Sequence, residues 1–245
     1  MIAHKHLPNA PIKEALIDIK VALPEGIDTT DLEPIHNLIS ADYPTKDVMQ
    51  TGEFGVHLSE DGPVTTTLGH GAIGHRYTSA DGIQIAQFRT NGFTFSRLEP
   101  YQTWDSMKDE AYRLWKIYYD VASPSVITRI AARYINILNI PLGEELKKYL
   151  VAPPVLPEEL PQTIMSYLSR IVTSDPEIDA MSVITQSFEV AKENIAPVVL
   201  DIDTFINKQF DPNTENYWQC LESLREYKNR IFFESITKEA MELFV

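Results

Sequence analysis

Apolar and polar positions alternate along much of this chain, and the longest such stretch lies at its middle. Residues 126–140 read Val-Ile-Thr-Arg-Ile-Ala-Ala-Arg-Tyr-Ile-Asn-Ile-Leu-Asn-Ile, rich in β-branched side chains and free of Gly and Pro. That pattern predicts a central strand. Residues 15–23 predict a half-buried strand, with Ile17, Ile19, Val21 and Leu23 set against Asp18 and Lys20. Pro24-Glu-Gly26 breaks it. Thr29 or Thr30 then offers a cap for a short helix through Ile39, with Leu32, Ile35 and Ile39 on one side.

Four further strands are predicted over 47–59, 64–79, 83–89 and 93–98. Ala80-Asp-Gly82 and Asn91-Gly92 are hairpin signals and Glu60-Asp-Gly62 is a turn, so these strands form an antiparallel meander. Over 101–122 the period changes. Trp104, Met107, Ala111, Leu114, Trp115 and Tyr118 recur at three- and four-residue steps, the stripe of a helix lying across a sheet. After the central strand the order restarts. A short helix is expected over 143–150, then a Pro-rich connection from Pro153 to Pro161. Strands follow over 163–173, 180–190 and 197–206. A second long helix runs from Thr214 or Asn216 to about Phe233, and a last short one is capped by Thr237.

The expected class is therefore α+β: one antiparallel sheet built from two similar strand–helix–meander–long helix units, over 1–123 and 124–245, with both long helices on one face. Leu98-Glu-Pro100 before Tyr101 and Trp104, and Phe210-Asp-Pro212 before Tyr217 and Trp218, are similar entries to the two long helices. They suggest an internal duplication, with an unrelated α+β chain as the alternative. By fold analogy alone the arrangement is TBP-like, a helix-on-saddle.

Composition narrows the chemistry. The formal net charge is −14, which argues against a general nucleic-acid binder, although a local basic patch would override it. Cys220 is the single cysteine, so neither an intrachain disulfide nor a cysteine-rich zinc site is expected. No apolar run approaches membrane-spanning length, and the N-terminus lacks the core of a signal peptide. A cytoplasmic location follows as an expectation.

Asn9-Ala-Pro-Ile-Lys-Glu-Ala15, Phe95-Ser-Arg-Leu98 with Tyr101 and Trp104, Arg129 through Arg133-Tyr-Ile-Asn136, and Phe233-Glu-Ser-Ile-Thr237 together resemble a known family. It is a sporadically distributed bacterial family of about this length with no assigned function. The resemblance spans nearly the whole chain and implies a bacterial or archaeal source. It brings no activity, cofactor or catalytic residue with it.

Arginine placement is the most informative chemical feature. Six of nine arginines fall on predicted strands: Arg76, Arg89, Arg97, Arg129, Arg133 and Arg170. Arg129 and Arg133 share a strand face with the small Ala131 between them. Guanidinium groups on a rigid sheet can hold a carboxylate or phosphate in two-pronged fashion. Arg97, Arg129 and Arg133, with Tyr101 and Asn136, are the candidate ligand-binding set, facing an anion between sheet and helix. The competing arrangement pairs the arginines with Asp18, Asp201 or Asp203. Asp201 and Asp203 share a face and could otherwise bind a divalent ion.

His57, His70 and His75 are weak metal candidates without a motif, and His4 and His6 lie in an expected tail. The glycines around His70 predict a bulge or strand edge. Tyr101, Trp104, Tyr118 and Tyr134 are expected chiefly in the core, and Cys220, beside Leu221 on the second long helix, as a small packed residue. No metal, cofactor or nucleophile constellation is expected. Two functions stay open. One is a non-enzymatic binding or interaction protein, such as an antitoxin- or immunity-like or regulatory partner. The other is a sensor or enzyme for a small anionic ligand. A homodimer through an exposed sheet edge is a further possibility.

Overall fold

The computed structural model describes residues 7–59, 62–141, 144–189 and 195–245, with backbone only over 51–59, 62–70 and at 189 and 195. The elements in chain order are β1 (Ile12–Ala22), α1 (Pro34–Ile39), β2 (Thr45–Ser59), β3 (Gly62–Thr78), β4 (Gln84–Arg89), β5 (Gly92–Leu98) and α2 (Trp104–Ala122). Then come β6 (Val126–Pro141), β7 (Ser166–Asp175), β8 (Ala180–Glu189), β9 (Ile195–Phe210), α3 (Asn216–Ser235) and α4 (Lys238–Glu242). The class is α+β. The nine strands of the described residues join in one antiparallel sheet, in the order β2-β3-β4-β5-β1-β6-β9-β8-β7.

The period-2 pattern decides which side chains meet the helices. Ala15, Ile17 and Ile19 of β1 are fully buried, as are Phe93 and Phe95 of β5 and Ile130, Ala132 and Tyr134 of β6. Register sets Ile17 beside Phe95 and Ala132, so these side chains share one face. Both long helices cover that face. From α2, Trp115 and Tyr118 pack on Phe93, and from α3 the Leu224 carbonyl lies 3.1 Å from Thr204 Oγ1 of β9. The helices also meet each other: Trp115 Nε1 donates to the Tyr217 hydroxyl at 3.0 Å, and Trp104 Nε1 to Glu222 at 2.9 Å. Each large side chain buried here contributes roughly 1.5–3 kcal/mol.

Two glycines allow strands to close up. A Cβ on Gly74 would stand 2.1 Å from the Phe88 carbonyl oxygen, and one on Gly92 2.2 Å from that of Ile19, both at positive φ.

Two helix expectations need correction. The stretch 143–150 holds one 3-10 turn, Leu146–Lys148, and Gly143 lies outside the described residues. Tyr149 and Leu150 are instead drawn into backbone pairing beside the end of α3: Leu150 bridges Ile236, and Thr237 N–H donates to the Tyr149 carbonyl. The first helix starts at Pro34, because Thr30 is tied to Asp28 in a turn and Pro is favoured at a helix start. The Thr237 cap is present, its hydroxyl accepting from Ala240 N–H. The Glu60-Asp61 turn lies outside the described residues. No described helix is long and apolar enough to cross a membrane.

Candidate functional site

The face of the sheet turned away from the helices is not covered by any described element. Alternation places Asp18 and Lys20 of β1, Gln87 and Arg89 of β4, Arg129 and Arg133 of β6 and Asp201 and Asp203 of β9 there, because their neighbours face the helices. From β7, Arg170 joins them, since Tyr167 packs against Phe188 on the helix side. A cleft of about 630 Å³ opens across this face, lined by Lys20, Arg89, Arg129, Arg133 and Arg170, with Asp18, Asp203 and Phe205 among its other walls.

The cations in the cleft divide into two kinds. Arg89 and Arg129 are committed. Asp18 accepts from Arg89 Nη2 at 2.9 Å, Arg129 Nη1 at 2.8 Å and the Thr94 hydroxyl at 2.7 Å. Arg129 Nη2 reaches both oxygens of Asp203 at 2.9 and 2.7 Å, and its guanidinium stacks 4.6 Å from the Phe205 ring. Arg89 spends its other donors on Gln87 and Asn91. The side chains of Asp18, Arg89 and Arg129 are 13–15% exposed and that of Asp203 23%. They form a stiff, neutralised floor in which each guanidinium is held by carboxylates and amides.

Lys20, Arg133 and Arg170 are different. Arg133 gives Nε and Nη2 to Asp201 at 2.8 and 2.6 Å, yet its side chain is 40% exposed and its Nη1 has no hydrogen bond among the described residues. The Asp201 carboxylate raises its pKa further. Lys20 and Arg170 are exposed and have no side-chain partner among the described residues. Burial raises the pKa of Asp203, with Arg129 and Arg133 opposing that shift. Five cations thus stand against four carboxylates, Asp18, Asp201, Asp203 and Glu14, whose charge also acts on Arg133. An anion entering the cleft would meet donors that are left over after the internal pairing.

The five residues named from sequence as a ligand set do not come together. Arg129 and Arg133 share the open face. Arg97 pairs in register with Ala15 and Gln84 on the helix side, 7% exposed, with its Nε unpartnered. Tyr101 is also on the helix side, its hydroxyl 3.0 Å from that of Tyr134. Asn136 is buried and donates to the backbone carbonyls of Leu200 and Tyr134. An anion held by Arg129 and Arg133 would therefore lie on the open face rather than between sheet and helix. The Asp18, Asp201 and Asp203 pairings are the competing arrangement that the sequence raised.

Strict alternation carried the missing signal. Phe93, Phe95 and Arg97 are two apart on β5, so the aromatic pair assigns Arg97 to the core side. The same rule puts Lys20 and Arg89 on the open face.

Among the histidines, the side chains of His57 and His70 and all of His4 and His6 lie outside the described residues. His75 is buried, with Nε2 3.2 Å from Glu33 Oε1, and burial lowers its pKa. Among the described residues there is no group of three or more His, Cys, Asp or Glu able to hold a metal ion. The register of β2 and β3 shifts at Met49/Gln50 and at Gly52/Glu53, so the Gly-rich run of β3 is bulged. Trp104, Tyr118 and Tyr134 are core residues, and Cys220 packs against the same core.

Compared with known proteins, the chain matches no family model and no curated protein.

Proposed function

We propose that this protein is a binding module rather than a catalyst, and that the cleft on its open sheet face recognises an anionic group. One observation carries this reading: a chain of net charge −14 gathers Lys20, Arg89, Arg129, Arg133 and Arg170 around one cleft and leaves three of them with unused donors. Carboxylates within the cleft hold Arg89 and Arg129 in place, so little ordering is needed when a carboxylate or phosphate arrives. The neighbouring acids are occupied as arginine partners, which favours a recognition role for them over general acid–base work.

A thermal-shift screen of anionic metabolites and nucleotides tests this. The expected result is an anion that raises the melting temperature of the wild type, with the rise abolished in Arg133→Ala while the unliganded variant still folds. Retention of the full rise in Arg133→Ala would contradict it.

The architecture favours an origin by duplication. The first strand of each unit, β1 or β6, pairs with the strand that leads into that unit's long helix, β5 or β9. The two first strands pair with each other at the centre. On this reading 1–123 and 124–245 are two copies of one ancestral unit sharing a sheet in a TBP-like arrangement, in a cytoplasmic protein of the bacterial family that the sequence resembles. A regulatory or immunity-like role alongside a protein partner is the form of binding we favour, and a stoichiometric partner in a pull-down from the native host would support it.

A further inference from the structure

A nine-stranded open sheet has two outer strands, and here they are unlike. An exposed strand edge invites pairing unless bulges, charges or proline blunt it. β2 is defended: the bulges of β3 shift its register twice, and Lys46 and Asp47 stand near its start. β7 has neither bulge nor proline, and its only charges are Arg170 and, at its end, Asp175. It pairs with β8 through ten successive positions, from Ser166–Glu189 to Asp175–Ala180, without a shift. It contains no Pro, Gly or Lys, and Arg170 is its one cation. Among the described residues no strand pairs with its other edge.

Apolar exposure is concentrated in β7, the connection that leads into it and the start of β8. Of the twelve large hydrophobic side chains that are exposed among the described residues, eight fall within 151–181. On β7 itself Leu168 is 74%, Ile171 55% and Val172 48% exposed. Leu168, Arg170 and Val172 point to the open face, while Ser169, Ile171 and Thr173 point to the helix side.

We infer that the free edge of β7 is a docking site for one extended segment of a partner protein, added as a tenth strand. The unpaired backbone groups dictate a strand as the occupant. The side chains dictate its pattern. On the open face it carries apolar residues beside Leu168 and Val172 with a carboxylate between them, beside Arg170. On the other face it carries an apolar residue beside Ile171. Charge complementarity selects the acidic partner, because Arg170 has no ion pair among the described residues. A second copy of this chain fits less well: antiparallel self-pairing centred on Arg170 sets two guanidiniums opposite each other, which destabilises a cross-strand pair. This docking site is separate from the Arg133 pairing in the cleft, although Arg170 stands at the border of both.

The test uses the full chain and a labelled, end-blocked synthetic peptide with one central Glu, Val at the two positions on either side of it and Thr at the ends. Fluorescence anisotropy should show saturable binding, weakened at least about tenfold when the central Glu is replaced by Lys. Arg170→Glu should invert that preference, and Ile171→Lys should remove binding while leaving any anion-induced stabilisation through Arg133 intact. Amide exchange over 166–175 should slow when the Glu peptide is bound. Absence of saturable binding, equal binding of the Glu and Lys peptides, or unaltered binding by Ile171→Lys would overturn the inference. So would a concentration-dependent dimer in sedimentation that Ile171→Lys abolishes, which would assign the edge to self-association.

Discussion

Arg133 and Asp201 face each other diagonally between β6 and β9, joined by two hydrogen bonds of 2.8 and 2.6 Å, and the pairing leaves Arg133 Nη1 without a hydrogen bond among the described residues. Its partner in the same strand, Arg129, has no such freedom, being divided between Asp18 and Asp203. Two arginines four residues apart are therefore bonded differently: Arg129 is shared between two carboxylates, and Arg133 keeps one guanidinium nitrogen without a partner among the described residues.

Asp18 holds two guanidiniums and a hydroxyl while nearly buried. Asp18→Asn keeps the shape and removes the charge, leaving Arg89 and Arg129 poorly compensated. It should cost about 3–5 kcal/mol, in line with breaking a buried pair. Urea unfolding reads the loss directly. A cost below about 0.5 kcal/mol, the range of ordinary surface changes, would mean that the floor of the cleft does not depend on this carboxylate.

Lys228 of α3 is buried with its Nζ 3.5 Å from the centre of the Tyr134 ring, and burial lowers its pKa to about 7, with Arg225 adding to the shift. In the unfolded chain the amine titrates near 10.5. Between those values the unfolded state binds more protons, so stability rises with pH from about 7 towards 10.5. Below about 7 the full cost of burying the cation is present. Lys228→Met should raise stability at pH 7 by a few kcal/mol, at most roughly the drop from 10.5 to about 7 at 1.36 kcal/mol per unit. It should also flatten this part of the profile. Paired denaturation curves of wild type and variant isolate the effect from the buried tyrosines, and parallel curves would refute it.

Gly74 and Gly92 sit where the next strand's backbone leaves no room for a Cβ. Gly74→Ala or Gly92→Ala should each cost more than about 2 kcal/mol, through strain at positive φ and the clash with a carbonyl. Gly71→Ala, with nothing within 4 Å of its Cβ, is the control and should stay near neutral. Thermal melts of the three variants make the comparison.

Much of the fold was legible because local signals agreed with one another. Alternation around Ile17 and Ile130, the Asp81-Gly82 and Asn91-Gly92 turns and the Trp104–Tyr118 stripe mark β1, β6, the meander and α2 to within a few residues. The Leu146–Lys148 turn was not legible, because pairing with the distant Ile236 overrides the local helical pattern. At the site, Arg129 and Arg133 stood out in sequence. The mutual commitments of Arg89, Arg129 and Asp18 did not, since they join residues up to 111 positions apart. The cleft exists only once β4, β1, β6, β9 and β7 are set side by side.

The most direct measurement of the central claim is an NMR titration that follows arginine Nε–H signals while inorganic pyrophosphate or succinate is added. A saturable shift at Arg133 is expected, with Arg97 on the opposite face unmoved. No shift at Arg133, or one centred on Arg97, would contradict it.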